Sequence, residues 1–165
     1  MSLNTVSVFE QPLPLFALDQ TVPTSDDYLT PRWVFDTLGI GFDLDVASPP
    51  WATHVPAERI YTKADDGLAQ PWSGRVWMNP PYSKSAPWVE RFIAHADGIA
   101  LLPWAKSAWT IRLWERADGI ALPPRWFDFD NGGSIFLPVQ FAAYGEECVD
   151  AISRVGHVRR LESPP

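Results

Sequence analysis

The amino-acid sequence predicts a single α/β domain built on an open, mostly parallel sheet, with an antiparallel strand near the C-terminus. Three observations lead there. Short apolar runs alternate with segments whose apolar residues recur every fourth position, the pattern of strands joined by helices. Two of those helical segments are each followed by a further strand, as parallel neighbours require. The 165 residues, 46% hydrophobic and 20% charged, suffice for one core but not for two.

Residues 1–27 carry Pro12, Pro14 and Pro23 among short apolar runs, and are expected to form an extended N-terminal arm. The domain proper is expected over 28–155, with 156–165 as a C-terminal tail. Thr30-Pro31 opens the first helix: threonine caps it, and proline suits its first position, where a missing N–H costs nothing. Val34 and Leu38, with Phe35 beside them, form one buried stripe, and Gly39 stops the helix. Phe42-Asp43-Leu44-Asp45-Val46 reads as a strand whose acids emerge near its carboxyl end. Ser48 to Ala57 contains three prolines and is a loop.

Arg59 to Thr62 is a short strand followed by a polar turn at Ala64 to Gly67. Arg75 to Met78 is a buried strand that stops at Asn79-Pro80-Pro81-Tyr82, because two successive prolines cannot continue a central ladder. A helix follows after Ser85, with Trp88, Phe92 and Ala96 on one face and Val89 and Ile93 alongside. Ile99 to Leu102 is a strand ended by Pro103. Trp109, Leu113 and Ala117 mark a helix over 107–117. Ile120 to Leu122 and Ser134 to Leu137 are strand candidates, with Gln140 to Tyr144 as an antiparallel partner around Pro138. Glu146 to Arg154 forms a last helix, and Ser163 to Pro165 frays. In open α/β sheets, ligands bind beyond the carboxyl ends of the strands. That rule places Asp43, Asp45, Asp66 and Asn79 on one rim.

Composition narrows the function. The N-terminus lacks a basic flank leading into a long apolar run, so no signal peptide is expected. No stretch is long enough to cross a bilayer. Cys148 is the single cysteine, which excludes an internal disulfide and a cysteine zinc cluster, and His54, His95 and His157 show no metal-ligand spacing. A reducing, intracellular setting without a bound metal is expected. The net charge of −7 disfavours coating nucleic acid through a broad basic face. Local positive charge at Lys84, Lys106 and His157 to Arg160 suits either phosphate contact or solvation. Nine tryptophans and nine phenylalanines exceed the needs of a small core. Each serves packing or a flat ligand, with Trp77 and Trp104 as candidates to hold such a ligand and packing favoured for Trp77.

Asn79-Pro80-Pro81-Tyr82 resembles the Asp/Asn-Pro-Pro-Tyr/Phe motif of amino-directed methyltransferases that use S-adenosylmethionine. The wider order is similar to the compact phage-type adenine-N6 DNA methyltransferases of the Dam group. It comprises Thr30-Pro31, Phe42 to Ala47, Asp66-Gly67-Leu68, Trp72-Ser73-Gly74, Asn79 to Ser83 and Leu101-Leu102-Pro103, within roughly Tyr28 to Tyr144. The resemblance implies a compact Rossmann-like methyltransferase fold and S-adenosylmethionine as cofactor. It also implies double-stranded DNA as partner, a phage or prophage origin, and action in the bacterial cytoplasm, with protection from host nucleases as one use. Assembly state is left open.

The motif makes chemical sense by itself. An exocyclic amine on an aromatic ring is a poor nucleophile because its lone pair is delocalised. Two acceptors aimed at its hydrogens free that pair. The Asn79 side-chain oxygen is one acceptor and the Pro80 carbonyl the other, with Pro81 fixing its direction. Tyr82 is expected to lie flat against the base, a stack worth roughly 1–3 kcal/mol. The same four residues also make an ordinary turn. A sulfonium donor is already activated, so direct in-line displacement needs neither a nucleophilic side chain nor a metal. Ser83, Lys84, Trp104 and Lys106 are the expected substrate contacts, and residues 48–57, 104–108 and 124–133 the expected recognition loops.

For the cofactor, the sequence lacks the glycine-rich loop found after the first strand in the broader class. Asp45 is the first choice to accept from ribose hydroxyls or an ammonium, and Asp43 the second; a solvated strand-end acid is an equal reading for Asp43. Asp66 suits the cofactor's adenine amino group or a plain Asp-Gly turn. Tyr28, Thr30 and Pro31 resemble a pocket-lining segment whose helix start offers unpaired N–H groups. RNA adenine, cytosine N4 and, less readily at this length, a glutamine amide are alternative acceptors. A catalytically inactive binding relative is the non-enzymatic alternative.

Overall fold

In the computed structural model the described residues are 26, 28–51, 53–123, 128–130 and 138–161. Helix α1 (Arg32–Leu38) precedes β1 (Phe42–Ser48), β2 (Ala57–Thr62) and β3 (Val76–Met78). A single 3-10 turn (Tyr82–Lys84) then leads into α2 (Ser85–His95), followed by β4 (Gly98–Pro103), α3 (Ala108–Arg116) and β5 (Gly119–Leu122). The chain continues through β6 (Val139–Tyr144), α4 (Glu146–Ser153) and β7 (His157–Arg160).

The seven strands form one sheet in the order β2-β1-β3-β4-β6-β5-β7. The pairings among β2, β1, β3 and β4 are parallel, whereas β4–β6, β6–β5 and β5–β7 are antiparallel. The sheet is therefore mixed rather than mostly parallel. Strand β6 is the expected reversed strand, but its described partners are β4 and β5, between which it lies. The candidate strand 134–137 falls outside the described residues, as do the arm over 1–25 and 27, most of the loop 124–133, and the terminus 162–165. The C-terminal tail is corrected over His157–Arg160. These residues alternate enough to pair with β5 as an edge strand, with Arg160 bridging Asp150 and Arg159 donating to the Trp114 carbonyl. The basic cluster is therefore held by the fold.

Both sheet faces are covered. Phe42, Trp77, Ile99, Leu101, Phe141 and Ala143 pack against α1 and α4. Leu44, Val76, Met78, Ala100, Leu102 and Ala142 pack against α2 and α3. Trp77 is 1% exposed, a core residue and no ligand platform. Between the parallel strands β1 and β2 run only residues 49–56, too few for the usual crossover helix. Eight extended residues still reach about 27 Å, enough to return along β1. Between that returning segment and α1 lies a cleft of about 470 Å³ lined by Arg32, Asp36, Thr53, His54 and Pro56, among others.

Candidate functional site

Asn79 leaves the carboxyl end of β3, where Pro80 and Pro81 stop the ladder as the sequence indicates. Its side-chain nitrogen donates to the Tyr28 carbonyl at 2.6 Å and to the Thr30 hydroxyl at 3.2 Å. Both acceptors lie in the segment entering α1. Thr30 thus anchors the amide instead of capping the helix, and Pro31 occupies the cap position in extended conformation ahead of Arg32. With the nitrogen held twice, the side-chain oxygen can face only one way. Asn79 Oδ1 is buried and has no hydrogen-bond partner among the described residues. A sealed, unpaired acceptor costs about 1–3 kcal/mol, so it calls for an explanation.

Tyr82 lies three residues on. Its ring packs on Tyr28 with centroids 4.7 Å apart and edge-on to Phe129 at 6.3 Å, while Tyr28 and Phe129 are 5.0 Å apart. The Tyr82 hydroxyl is likewise enclosed and unpartnered, and burial pushes it well above its ordinary value. Here the ring meets other rings rather than lying open to receive a base. Phe129 was not singled out in the sequence, which marked only the loop 124–133 around it, because its partners are some fifty and a hundred positions away. Asp130 fixes that short segment, donating its N–H to the Leu29 carbonyl at 3.0 Å and pairing with His54 at 3.2 Å.

The carboxylates separate. Asp43 is near the amino end of β1, and its carboxylate accepts from the Arg75 N–H at 2.6 Å, against Gly74. It ties the starts of β1 and β3 together and is removed from the rim, because β1 runs on from Phe42 to Ser48 and Asp43 is only its second residue. Asp45 is 2% exposed. Its register partner is Trp77, two residues before Asn79, so the Asp45 and Asn79 side chains leave adjacent strands on one face. Asp45 accepts from the Ala47 N–H at 3.2 Å just before a register shift in the β1–β2 pairing. Asp66 sits on the exposed turn after β2 with φ of 54°. The neighbouring Gly67 presses so closely on β1 that a Cβ would stand 2.1 Å from the Val46 carbonyl oxygen. That contact holds the turn at the carboxyl end of β1.

Burial pushes the Asp45 carboxyl from 3.8 up to about 7, against the hydrogen bonds from Ala47 and Ser48 that pull it down. A carboxyl raised on folding takes up a proton. Its contribution is fully present below about 3.8 and is lost as pH rises through about 7. Asp45→Asn is expected to stabilise the protein at pH 8 by on the order of 2–4 kcal/mol, with the gain fading toward pH 4. Urea unfolding of both proteins at several pH values checks this; a pH-independent difference refutes it.

Among the expected substrate contacts, Ser83 is committed to Asp26, which receives its N–H at 3.0 Å and its hydroxyl at 2.5 Å. Lys84 and Lys106 are exposed, and Trp104 follows β4 with 49% exposure. Gln140 is a contributor the sequence did not single out. Fully buried, it receives the Trp114 ring N–H at 2.6 Å and donates to the Pro103 carbonyl at 3.2 Å, fixing the end of β4. No group of three or more potential metal ligands occurs among the described residues, and no described helix is long and apolar enough to cross a membrane.

Fold and site together define an α/β protein that presents a fixed amide oxygen at the carboxyl rim of its parallel strands. Residues 19–120 match the family model described as DNA N-6-adenine-methyltransferase (Dam). The match covers more than half of the chain, which therefore belongs to that family. It starts earlier and ends earlier than the span Tyr28 to Tyr144 that the motifs suggest. A DNA N-6-adenine-methyltransferase of Haemophilus phage HP1 is 38% identical over 76 residues, covering 43% of this chain and 43% of that relative. The similarity thus spans less than half of the relative's length. No solved structure matches.

Proposed function

We propose that this protein transfers a methyl group from S-adenosylmethionine to adenine N6 in double-stranded DNA, within the host cytoplasm. One observation carries the reading: Asn79 Oδ1 is buried, aimed by two hydrogen bonds on its own nitrogen, and without a donor. An exocyclic NH2 supplies the missing donor. Family membership and the similarity to the phage DNA N-6-adenine-methyltransferase support the choice of adenine in DNA. The sheet supports a Rossmann-like methyltransferase fold, with four parallel strands followed by a reversed strand set between two others of common direction.

The residues fit the cofactor by chemistry. S-adenosylmethionine, when bound, supplies a methyl group on an activated sulfonium. Asp45 is an enclosed acid with no ion-pair partner among the described residues, suited to a cationic or hydroxyl-bearing ligand. Tyr28 and Thr30 hold the Asn79 amide, Pro31 follows them at the start of α1, and Asp66 precedes Gly67, which presses on Val46 near the end of β1. Asn79 Oδ1 and the Pro80 carbonyl hold the two hydrogens of the amine, while Pro81 restricts their motion. Tyr82 supplies the stacking surface once Phe129 gives way, and Lys84 and Lys106 meet phosphates.

Radiolabelled methyl transfer to unmethylated plasmid DNA, followed by nucleoside analysis, tests this directly. N6-methyl-2′-deoxyadenosine as the labelled product is expected; label in another nucleoside, or none, refutes the reading. Cofactor at a hundred times its dissociation constant is expected to stabilise the native state by about 2.7 kcal/mol. An unchanged thermal transition at saturating S-adenosylmethionine removes the cofactor assignment.

A further inference from the structure

We propose that Phe129 stands in the acceptor's place in the free protein, and that His54 and Asp130 are positioning residues which hold it there until DNA displaces it. This rests on the DNA-adenine reading above and adds the step by which the closed site opens. Two polar atoms of one motif, Asn79 Oδ1 and the Tyr82 hydroxyl, are sealed without a partner among the described residues. A finished core pairs such groups, so two orphans under one cover mark a site that is shut rather than filled. The cover is aromatic. Phe129 is 4% exposed, with its ring centroid 5.0 Å from that of Tyr28 and 6.3 Å from that of Tyr82.

Of the three rings, Phe129 is the one whose departure leaves the site intact. The Tyr28 carbonyl holds the Asn79 amide, and Tyr82 belongs to the motif itself. Phe129 lies in no helix or strand, on the connection between β5 and β6. The next residue ties it down twice. Asp130 donates its N–H to the Leu29 carbonyl at 3.0 Å, and its carboxylate meets the His54 ring at 3.2 Å. The two side chains of that pair are 38% and 39% exposed, and a charged pair so open to water is weak. It fixes the cover yet yields to a ligand. His54 also lines the cleft of about 470 Å³ between α1 and residues 49–56, which has room for a phenyl ring.

A site that must open before it binds loses apparent affinity in proportion to its closed fraction. Loosening the cover should therefore improve the use of DNA, whereas loss of a merely structural contact would lower it or leave it unchanged. His54→Ala, at the surface, is expected to raise kcat/KM for unmethylated plasmid DNA roughly twofold to fivefold, through KM and with kcat little changed. Phe129→Ala should exceed that gain, once its thermal transition shows it folded. A kcat/KM of His54→Ala at or below wild type overturns the proposal. Hydrogen exchange at the Asp130 N–H gives a readout apart from turnover. Plasmid DNA bound with S-adenosylhomocysteine in the donor's place is expected to speed exchange there roughly tenfold, by freeing the amide from Leu29; unchanged or slower exchange also overturns it. Wild type that methylates no DNA overturns the underlying reading, and the proposal with it, a result seen without any variant.

Discussion

Asn79→Ala is expected to lower methyl transfer by about 10²–10³-fold, the range for removing one preorganised group from a reacting centre. The substitution deletes the acceptor and also releases the Tyr28 carbonyl and the Thr30 hydroxyl. A loss of stability of about 1–3 kcal/mol accompanies it. Stabilisation by S-adenosylmethionine, read as a thermal shift on the folded variant, should persist because Asp45 is untouched. Asn79→Asp separates the two duties of the amide. A carboxylate there faces the Tyr28 carbonyl with no proton to give, so the aim of the remaining oxygen is lost and activity should fall again. Wild-type rates in Asn79→Ala, measured by labelled transfer, would eliminate this residue as the amine acceptor.

Gly98→Ala is expected to have the largest effect on stability, about 3 kcal/mol or more. Gly98 opens β4 with φ of 127°, and a Cβ would stand 2.1 Å from the Val76 carbonyl oxygen and 2.6 Å from the Val76 nitrogen. Those atoms belong to the adjacent central strand, which carries Asn79 at its other end. Relief would require β3 and β4 to part. Gly145 provides the comparison, since φ is 87° there and nothing lies within 4 Å of a Cβ. Gly145→Ala should cost only the backbone strain, roughly 1–2 kcal/mol. Denaturant unfolding decides, and equal losses at the two positions would dismiss crowding as the cause.

What the sequence disclosed depended on how local the signal was. Asn79 to Tyr82 announced a strand end because consecutive prolines act on the backbone itself. The helices containing Phe92 and Leu113 were legible from their period, and Gly39 from its place after α1, where it adopts φ of 64°. Pairing partners were less legible. β6 was read as reversed, yet its insertion between β4 and β5 is a matter of which apolar surfaces meet. His157 to Arg160 looked like a basic tail because an edge strand tolerates charge on both faces. At the candidate site, Asn79, Asp45 and Thr30 were singled out from their types and their place in the motifs. Asp43 was misplaced because the strand continues to Ser48, past the five-residue run read from the sequence, which leaves Asp43 at its amino end. Phe129, Gln140 and the Asp26–Ser83 contact emerge only when distant segments are folded together.

The cover over Asn79 carries a consequence for how an acceptor is chosen. With Tyr28, Tyr82 and Phe129 closed against one another, the space a flat guest would take is already filled by the protein's own rings. Admission is then an exchange of one aromatic surface for another. The stacking a newcomer provides is largely cancelled by what it displaces, so affinity for any purine or pyrimidine as such should be slight. What the exchange leaves uncancelled is the hydrogen that the amide oxygen lacks, and a nucleobase with no amino hydrogen to give gains nothing by entering.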